Sequence, residues 1–502
     1  MSFSNLILFT IISLIYLSSF KIKCYFVFPF ESTFIKDKTV NQTDFFTNLF
    51  QYEPYINFKI GSNQENIRAI LKMDKYGFLI YENAYSYKNS DTYEELTPNF
   101  EENLKTSWVK DCDQIGSKDI FYIPTEENKN QMIQTNKTRF LRLKQKEGKD
   151  IYFNEMYYKD AIIGLKYNSN SYFQTPEFVK ELKKSKAINK NVFYLTFEKE
   201  TKNGFAFNNN KGKFIVGKEL DENETIYTEC VNFPGELLWG LEFNNIYTKY
   251  KNEDKKLFEN IKLKAQIVAT SPYIETPNIF FEYLRINFFE DLLQNNICKI
   301  INFTKHDIYL DHHYYSYACD SKSNIFMEKL NNNFPKIIFE HKILKQYFNL
   351  TKNDLFAFNN FDNNDQNLYF LMITGESSSE WGLGIPFLKN YVFSYDYESK
   401  MVGYYPDFGK EKNDEGKGNF FKSVAFKVII IVLLVIVVFA LGVFFQKYYK
   451  KTRKKKANEL DDEFDYEPHK DNNDKENKNN DDIKDEGKNK NNDGNESLGI
   501  NE

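Results

Sequence analysis

The stretch WGLGIPFLKNYVFSYDYESKMVGYY, residues 381–405, reads as part of a β-rich domain. Gly384 follows apolar residues in a run that reads as a buried strand, where a missing side chain permits close backbone approach. Gly164 holds the matching place in KDAIIGL, residues 159–165. Working outward, Ile56, Phe58 and Ile60 alternate with polar residues, Gly61-Ser62-Asn63-Gln64 supplies a turn, and Ile67, Ala69 and Leu71 alternate again, the pattern of a hairpin. It leads into Lys72-Met73-Asp74-Lys75-Tyr76-Gly77. About 195 residues later Trp239, Leu241 and Phe243 alternate, then Ile261, Leu263, Ala265 and Ile267, leading into Ala269-Thr270-Ser271. Two copies of one plan predict a two-lobed molecule with pseudo-twofold symmetry, and no Pro/Gly/Ser-rich linker separates independent domains between residues 50 and 408.

In their order along the chain these pieces resemble the pepsin-like aspartic peptidase family. FKIGSNQ resembles its IGTPPQ turn, KDAIIGL its DGILGL element, and TPEFVKELKKSKAINKNVFYLTF the helix and strand that follow. NNKGKFIVG resembles the strand closing the first lobe, Thr276-Pro277 with FFEYL the helix after the second active-site loop, and EWGLGIPFLKNYVFSYD the closing segment. The resemblance implies an all-β fold with short helices, an N-terminal lobe over residues 50–215 and a C-terminal lobe over 216–408. It also implies that Gly164 and Gly384 let the chain pass beneath two catalytic loops. Thr175 is the expected N-cap of a helix with Pro176 at its first position and Phe178, Val179 and Leu182 on its apolar face.

The chemistry implied by the family is undermined at both loops. A pepsin-type enzyme needs two carboxylates sharing one proton, each on a D-[TS]-G loop, so that one activates water while the other donates. Here IVATS aligns with I-V-D-T-G without a gap, which puts Ala269 at the second catalytic position and Thr270 after it. At the first loop, counting from Gly61 selects Lys72, matching the second lobe's repeat selects Met73, and only a shift selects Asp74. Asp74 is the remaining candidate acid, although Lys75 and Tyr76 replace the small residues that normally orient a carboxylate. No Y-G-T-G flap occurs between Asp91 and Lys159, where Tyr122 is the candidate flap aromatic.

Cys298 and Cys319 enclose 20 residues where the family commonly has a bridge, so the resemblance implies that they pair; Cys112 and Cys230 are left to pair across the lobes or stay free. Sequons at Asn41, Asn136, Asn223, Asn302 and Asn349 are glycosylation candidates, in a number that this Asn-rich composition would also produce by chance. His306, Asp307, Asp311, His312 and His313 form the one cluster with metal-ligand chemistry, but no compact second ligand pair accompanies them, so neither a metal nor any other cofactor is assigned. No G-x-S-x-G, H-E-x-x-H or phosphate-cradling glycine loop occurs. A formal charge of −5 over 502 residues, without a basic face, argues against nucleic acid as a partner.

The ends of the chain read as membrane addressing. Residues 1–24, with an apolar run from Leu6 to Leu17, are expected to be a secretory signal. A transmembrane helix is expected at 426–446, because the eighteen residues Val428 to Phe445 carry no charge, enough at about 1.5 Å per residue to cross most of a bilayer. Lys447, Lys450, Lys451, Arg453, Lys454, Lys455 and Lys456 mark the cytoplasmic side, so the expected topology is single-pass type I. Residues 447–502 form a cytoplasmic tail with almost nothing apolar after Ala457, expected to be disordered; Asp461 to Glu467 read as a solvated charge run, with an adaptor site as the alternative. The leading expectation is a pepsin-like module that binds a protein or peptide in its cleft without cleaving it. The alternatives are a membrane-anchored aspartic endopeptidase with a degenerate site and a sorting or cargo receptor.

Overall fold

A computed structural model describes residues 25–34, 45–46, 52–96, 112–124, 132–146, 161–167, 175–199, 201–202, 205–206, 211–220, 224–233, 236–250, 253–258, 262–306, 311–359, 365–375, 378–406 and 441–453. The chain divides into two units, Met1–Lys410 and Glu411–Glu502. The described residues of the first are mostly strands, in a 15-stranded, an 11-stranded, a four-stranded and a two-stranded sheet, with short helices. In the second unit residues 441–453 are helical and exposed. Among the described residues no helix is long and apolar enough to cross a membrane. The expected signal at 1–24, most of the expected span at 426–446, and the tail beyond residue 453 lie outside the described residues.

The alternation in the sequence becomes burial. Strands Tyr52–Ile60 and Glu65–Lys72 pair antiparallel, with Phe58 opposite Ile67. Ile56, Phe58, Ile60, Ile67, Ala69 and Leu71 are all buried, as a period of two requires when one face meets a core. In the second half Gly240–Phe243 pairs antiparallel with Leu263–Ile267, and Trp239, Leu241, Phe243, Ala265 and Ile267 are buried. Between them lies a hairpin that polar alternation did not reveal, Asn245–Tyr250 with Glu253–Phe258, which joins Lys336–His341 and Gln346–Leu350 in the four-stranded sheet.

The helix expected after Thr175-Pro176 begins later. It runs Phe178–Lys184, with Glu177 at its N-cap and no side-chain cap bond, so Thr175 is not the cap. The Pro176 carbonyl instead accepts from the Phe78 amide at 2.6 Å, which keeps this segment extended beside strand Tyr76–Tyr81. Phe178, Val179 and Leu182 do form the buried face.

The two halves share the 15-stranded sheet. Strand Val192–Phe197 pairs with Phe393–Asp396, Val192 opposite Asp396. The Trp239 indole and the Tyr397 hydroxyl both donate to the carbonyl of Leu165, at 2.6 and 3.0 Å. Phe193 stacks on Tyr395 with centroids 4.8 Å apart, and such pairs contribute about 0.5–1.5 kcal/mol beyond their buried area. One continuous apolar cluster therefore includes residues from Phe26 to Tyr404.

Candidate functional site: two crossed loops

In the first half, strand Ala161–Leu165 runs between Glu65–Lys72 and Tyr76–Tyr81, parallel to one and antiparallel to the other. The loop 73–75 joins the two strands that this crossing segment separates, and Gly164 faces Lys72 on one side and Gly77 on the other. A Cβ at position 164 would stand 2.5 Å from the Tyr76 carbonyl carbon and 2.7 Å from the Lys75 oxygen. Only glycine allows the chain to pass there.

The second half repeats the arrangement. Strand Trp381–Leu383 runs parallel to Leu263–Ile267, with Ile267 opposite Leu383, and meets Ile274–Glu275 antiparallel. The Val268 amide donates to the Leu383 carbonyl at 3.0 Å, and the Ile385 amide to the Ser271 carbonyl at 2.7 Å. A Cβ on Gly384 would lie 2.0 Å from the Tyr273 oxygen and 2.4 Å from the Ser271 oxygen. The two glycines therefore do the same job under two loops.

The crossings also align the loops with each other. Gly164 pairs with Lys72, and Gly384, one residue beyond the Leu383–Ile267 pair, falls opposite Val268. The next residues are then Met73 and Ala269, followed by Asp74 and Thr270, then Lys75 and Ser271. The antiparallel sides agree: Gly164 lies opposite Gly77, and the Glu275–Gly382 pair carried two residues on sets Gly384 opposite Tyr273, so Lys72 to Gly77 and Val268 to Tyr273 span the same length of chain. Of the three residues the sequence offers for the first loop, this register selects Met73.

Met73 is 2% exposed and Ala269 1%, and both belong to the same apolar cluster. Neither can ionise, donate or accept a proton. Lys72 and Thr270 are half-buried. Asp74 is exposed, with its Oδ2 3.5 Å from the Lys75 ammonium. Tyr122, opposite Lys59 in strand Phe121–Pro124, sits at the Ile60 end of the 52–60/65–72 ladder, the end away from Lys72.

Cys298 and Cys319 form a disulfide across paired strands Cys298–His306 and Asp311–Asp320. Cys230 keeps a free thiol, so it does not pair with Cys112; burial pushes its pKa up to about 12. Asn136 and Asn302 are exposed and Asn349 is half-buried, while Asn41 and Asn223 lie outside the described residues. His313 is exposed with Nδ1 3.1 Å from the Thr304 hydroxyl, and among the described residues no group of side chains is arranged to hold a metal.

Two buried polar centres escaped the sequence reading. Asp119 accepts from Ser90 at 3.0 Å, Thr92 at 2.5 Å and the Tyr85 hydroxyl; burial, then this bond to Asp119, raises the Tyr85 pKa. Arg142 bonds Glu82 at 2.9 Å, Glu95 at 2.8 Å and the Tyr93 hydroxyl at 3.0 Å, and lies 3.8 Å from the Tyr87 ring centroid. Both tie residues 82–95 to the first-half sheet. Their partners are common surface residue types spread over long sequence separations, so no local signal marks them.

No family model matches the sequence, and no curated protein matches it. Among solved structures it is similar to the crystal structure of basic 7S globulin from soybean, with 9% identity, a TM-score of 0.47, and coverage of 76% of this chain and 96% of that one.

Proposed function

We propose that this chain is a single-pass type I membrane protein whose residues 50–215 and 216–408 form the two lobes of a pepsin-like domain. That domain holds a peptide or protein in the groove between its lobes and does not cleave it. The observation that carries the reading is the pair of buried apolar residues, Met73 and Ala269, at the equivalent positions of the two crossed loops. Aspartic catalysis needs two carboxylates whose mutual repulsion separates their pKa values, one to activate water and one to protonate the scissile carbonyl. Two apolar side chains supply neither. A groove of this kind binds an extended backbone largely through main-chain hydrogen bonds, which need no carboxylate. The domain faces the lumen or the cell exterior, and residues 426–446 span the membrane.

The test is a quenched-fluorescence peptide library incubated with the full chain in detergent from roughly pH 3 to 7, the range in which a shared-proton dyad operates. Binding without turnover is expected, for the wild type and for Asp74→Ala alike. Turnover that disappears in Asp74→Ala would instead establish a degenerate endopeptidase with Asp74 as its acid.

A further inference from the structure

The second-half sheet is apolar on both faces. Along strand Asp311–Asp320, Tyr317 and Cys319 point into the main core, whereas Tyr314 and Ala318 belong to a separate cluster. The same division holds on the neighbouring strands. Phe370 and Met372 are in the core, while Tyr369, Leu371 and Ile373 are on the other side with Tyr273, Phe303 and Ala357. A strand buried on both faces needs a cover on each. The cover here comes from far away in the sequence. Phe45 and Phe46, both helical in conformation and falling in sequence between the strands Phe26–Phe34 and Tyr52–Ile60, are buried in this second cluster at 1% and 0% exposure.

The fit is specific to two adjacent aromatic rings. Phe45 stacks on Tyr369 with centroids 4.2 Å apart and planes at 21°, and Phe46 stacks on Phe303 at 4.5 Å and 6°. The two phenylalanine rings stand at 83° to each other, so each lies flat on a different ring of the sheet while aliphatic residues pack around them. One edge of the cluster is Tyr273, whose carbonyl lies over Gly384 beside the second crossed loop.

We propose that this face is a docking site for a pair of adjacent aromatic side chains in helical conformation, filled in cis by Phe45-Phe46 and open to a peptide of the same chemistry when that pair is withdrawn. The site is distinct from main-chain recognition of an extended peptide in the groove, and it stands whether or not the groove binds. A tethered occupant competes at an effective concentration of order millimolar, so an external peptide at micromolar concentration is shut out of the wild-type protein.

The experiment uses the full chain in detergent and a fluorescein-labelled peptide with the sequence of residues 42–48, QTDFFTN, read by anisotropy. The double variant Phe45→Ala/Phe46→Ala should bind it at least tenfold more tightly than wild type, and a QTDAATN control should not bind. A folded double variant with affinity within threefold of wild type, or equal binding of the control, overturns the proposal. If the double variant does not fold, Phe45→Trp, which keeps the packing, gives a second reading. Millimolar QTDFFTN should red-shift its emission, measured as the difference from wild type, whereas QTDAATN should not; no shift with QTDFFTN overturns the proposal. Extended library peptides lacking adjacent aromatics report on the groove, so the two ideas fail separately.

Discussion

At the residue scale, the crossed loops depend on what is missing from two positions. A methyl group on Gly384 would stand 2.0 Å from the Tyr273 oxygen, a backbone atom that can yield only by moving the loop, whereas one on Gly375 would meet its nearest neighbour, the His313 oxygen, at 3.5 Å, ordinary contact distance. Gly384→Ala is expected to lower stability by about 3 kcal/mol or more, at or above the upper range for overpacking, and Gly375→Ala by less than about 1 kcal/mol. Urea titration of both variants checks the contrast, and equal midpoints would refute it. His341 offers a pH-dependent counterpart. It is buried, its Nδ1 accepts from the Leu344 amide at 3.2 Å, and burial lowers its pKa to about 4, against a smaller opposing pull from Glu242. The unfolded chain takes up a proton near the ordinary histidine value of 6.5 and the folded chain only near 4. Stability from this group is therefore complete above pH 6.5 and falls as the pH drops towards 4, by a total on the order of 3 kcal/mol. Thermal unfolding across that range should show a shallower slope in His341→Asn, which removes the titrating ring; an identical slope would show that other groups carry the dependence.

At the element scale, the strands Cys298–His306 and Asp311–Asp320 are a long hairpin closed near its base by the disulfide, with Cys298 directly opposite Cys319. The bridge limits the unfolded chain over a 21-residue separation, which in the chain-entropy model contributes about 3 kcal/mol. Cys298→Ser/Cys319→Ser is expected to unfold at correspondingly lower denaturant, and mass spectrometry of unreduced wild-type peptides should find the two residues joined. Free thiol at either position would contradict the structure. The pairing was legible through the family's usual loop. The start of helix Phe178–Lys184 was not, because a Thr-Pro pair is a good helix start in isolation and the Phe78 amide, about a hundred residues earlier, claims the Pro176 carbonyl instead.

At the scale of the whole molecule, the proposed type I orientation makes a prediction independent of the domain's chemistry. Protease added to sealed vesicles with the lumen protected should remove only the tail beyond Lys447, motivated by the uncharged run Val428 to Phe445 and its basic flank. Digestion of residues 25–425 would exclude that orientation. Within the first unit, strands 192–197 and 393–396 knit the halves into one sheet, and Leu165 receives hydrogen bonds from both Trp239 and Tyr397. The halves are therefore expected to unfold together.

Period-two alternation was enough for the sequence by itself to determine the hairpin 52–72 and the strands 240–243 and 263–267, because a strand half-buried against a core must place its apolar residues on one side. The glycines 164 and 384 and the absence of a carboxylate at Ala269 were equally readable. Which residue of the first loop stands level with Ala269 was not, since Lys72, Met73 and Asp74 are consecutive and each fits some count along the chain. Only the parallel pairing of Gly164 with Lys72, a contact across about ninety residues, singles out Met73 and buries it. The same reason hid Asp119, Arg142 and the Phe45-Phe46 pair. Their neighbours are chosen by how strands stack in space, and no local periodicity encodes which distant face a side chain will meet.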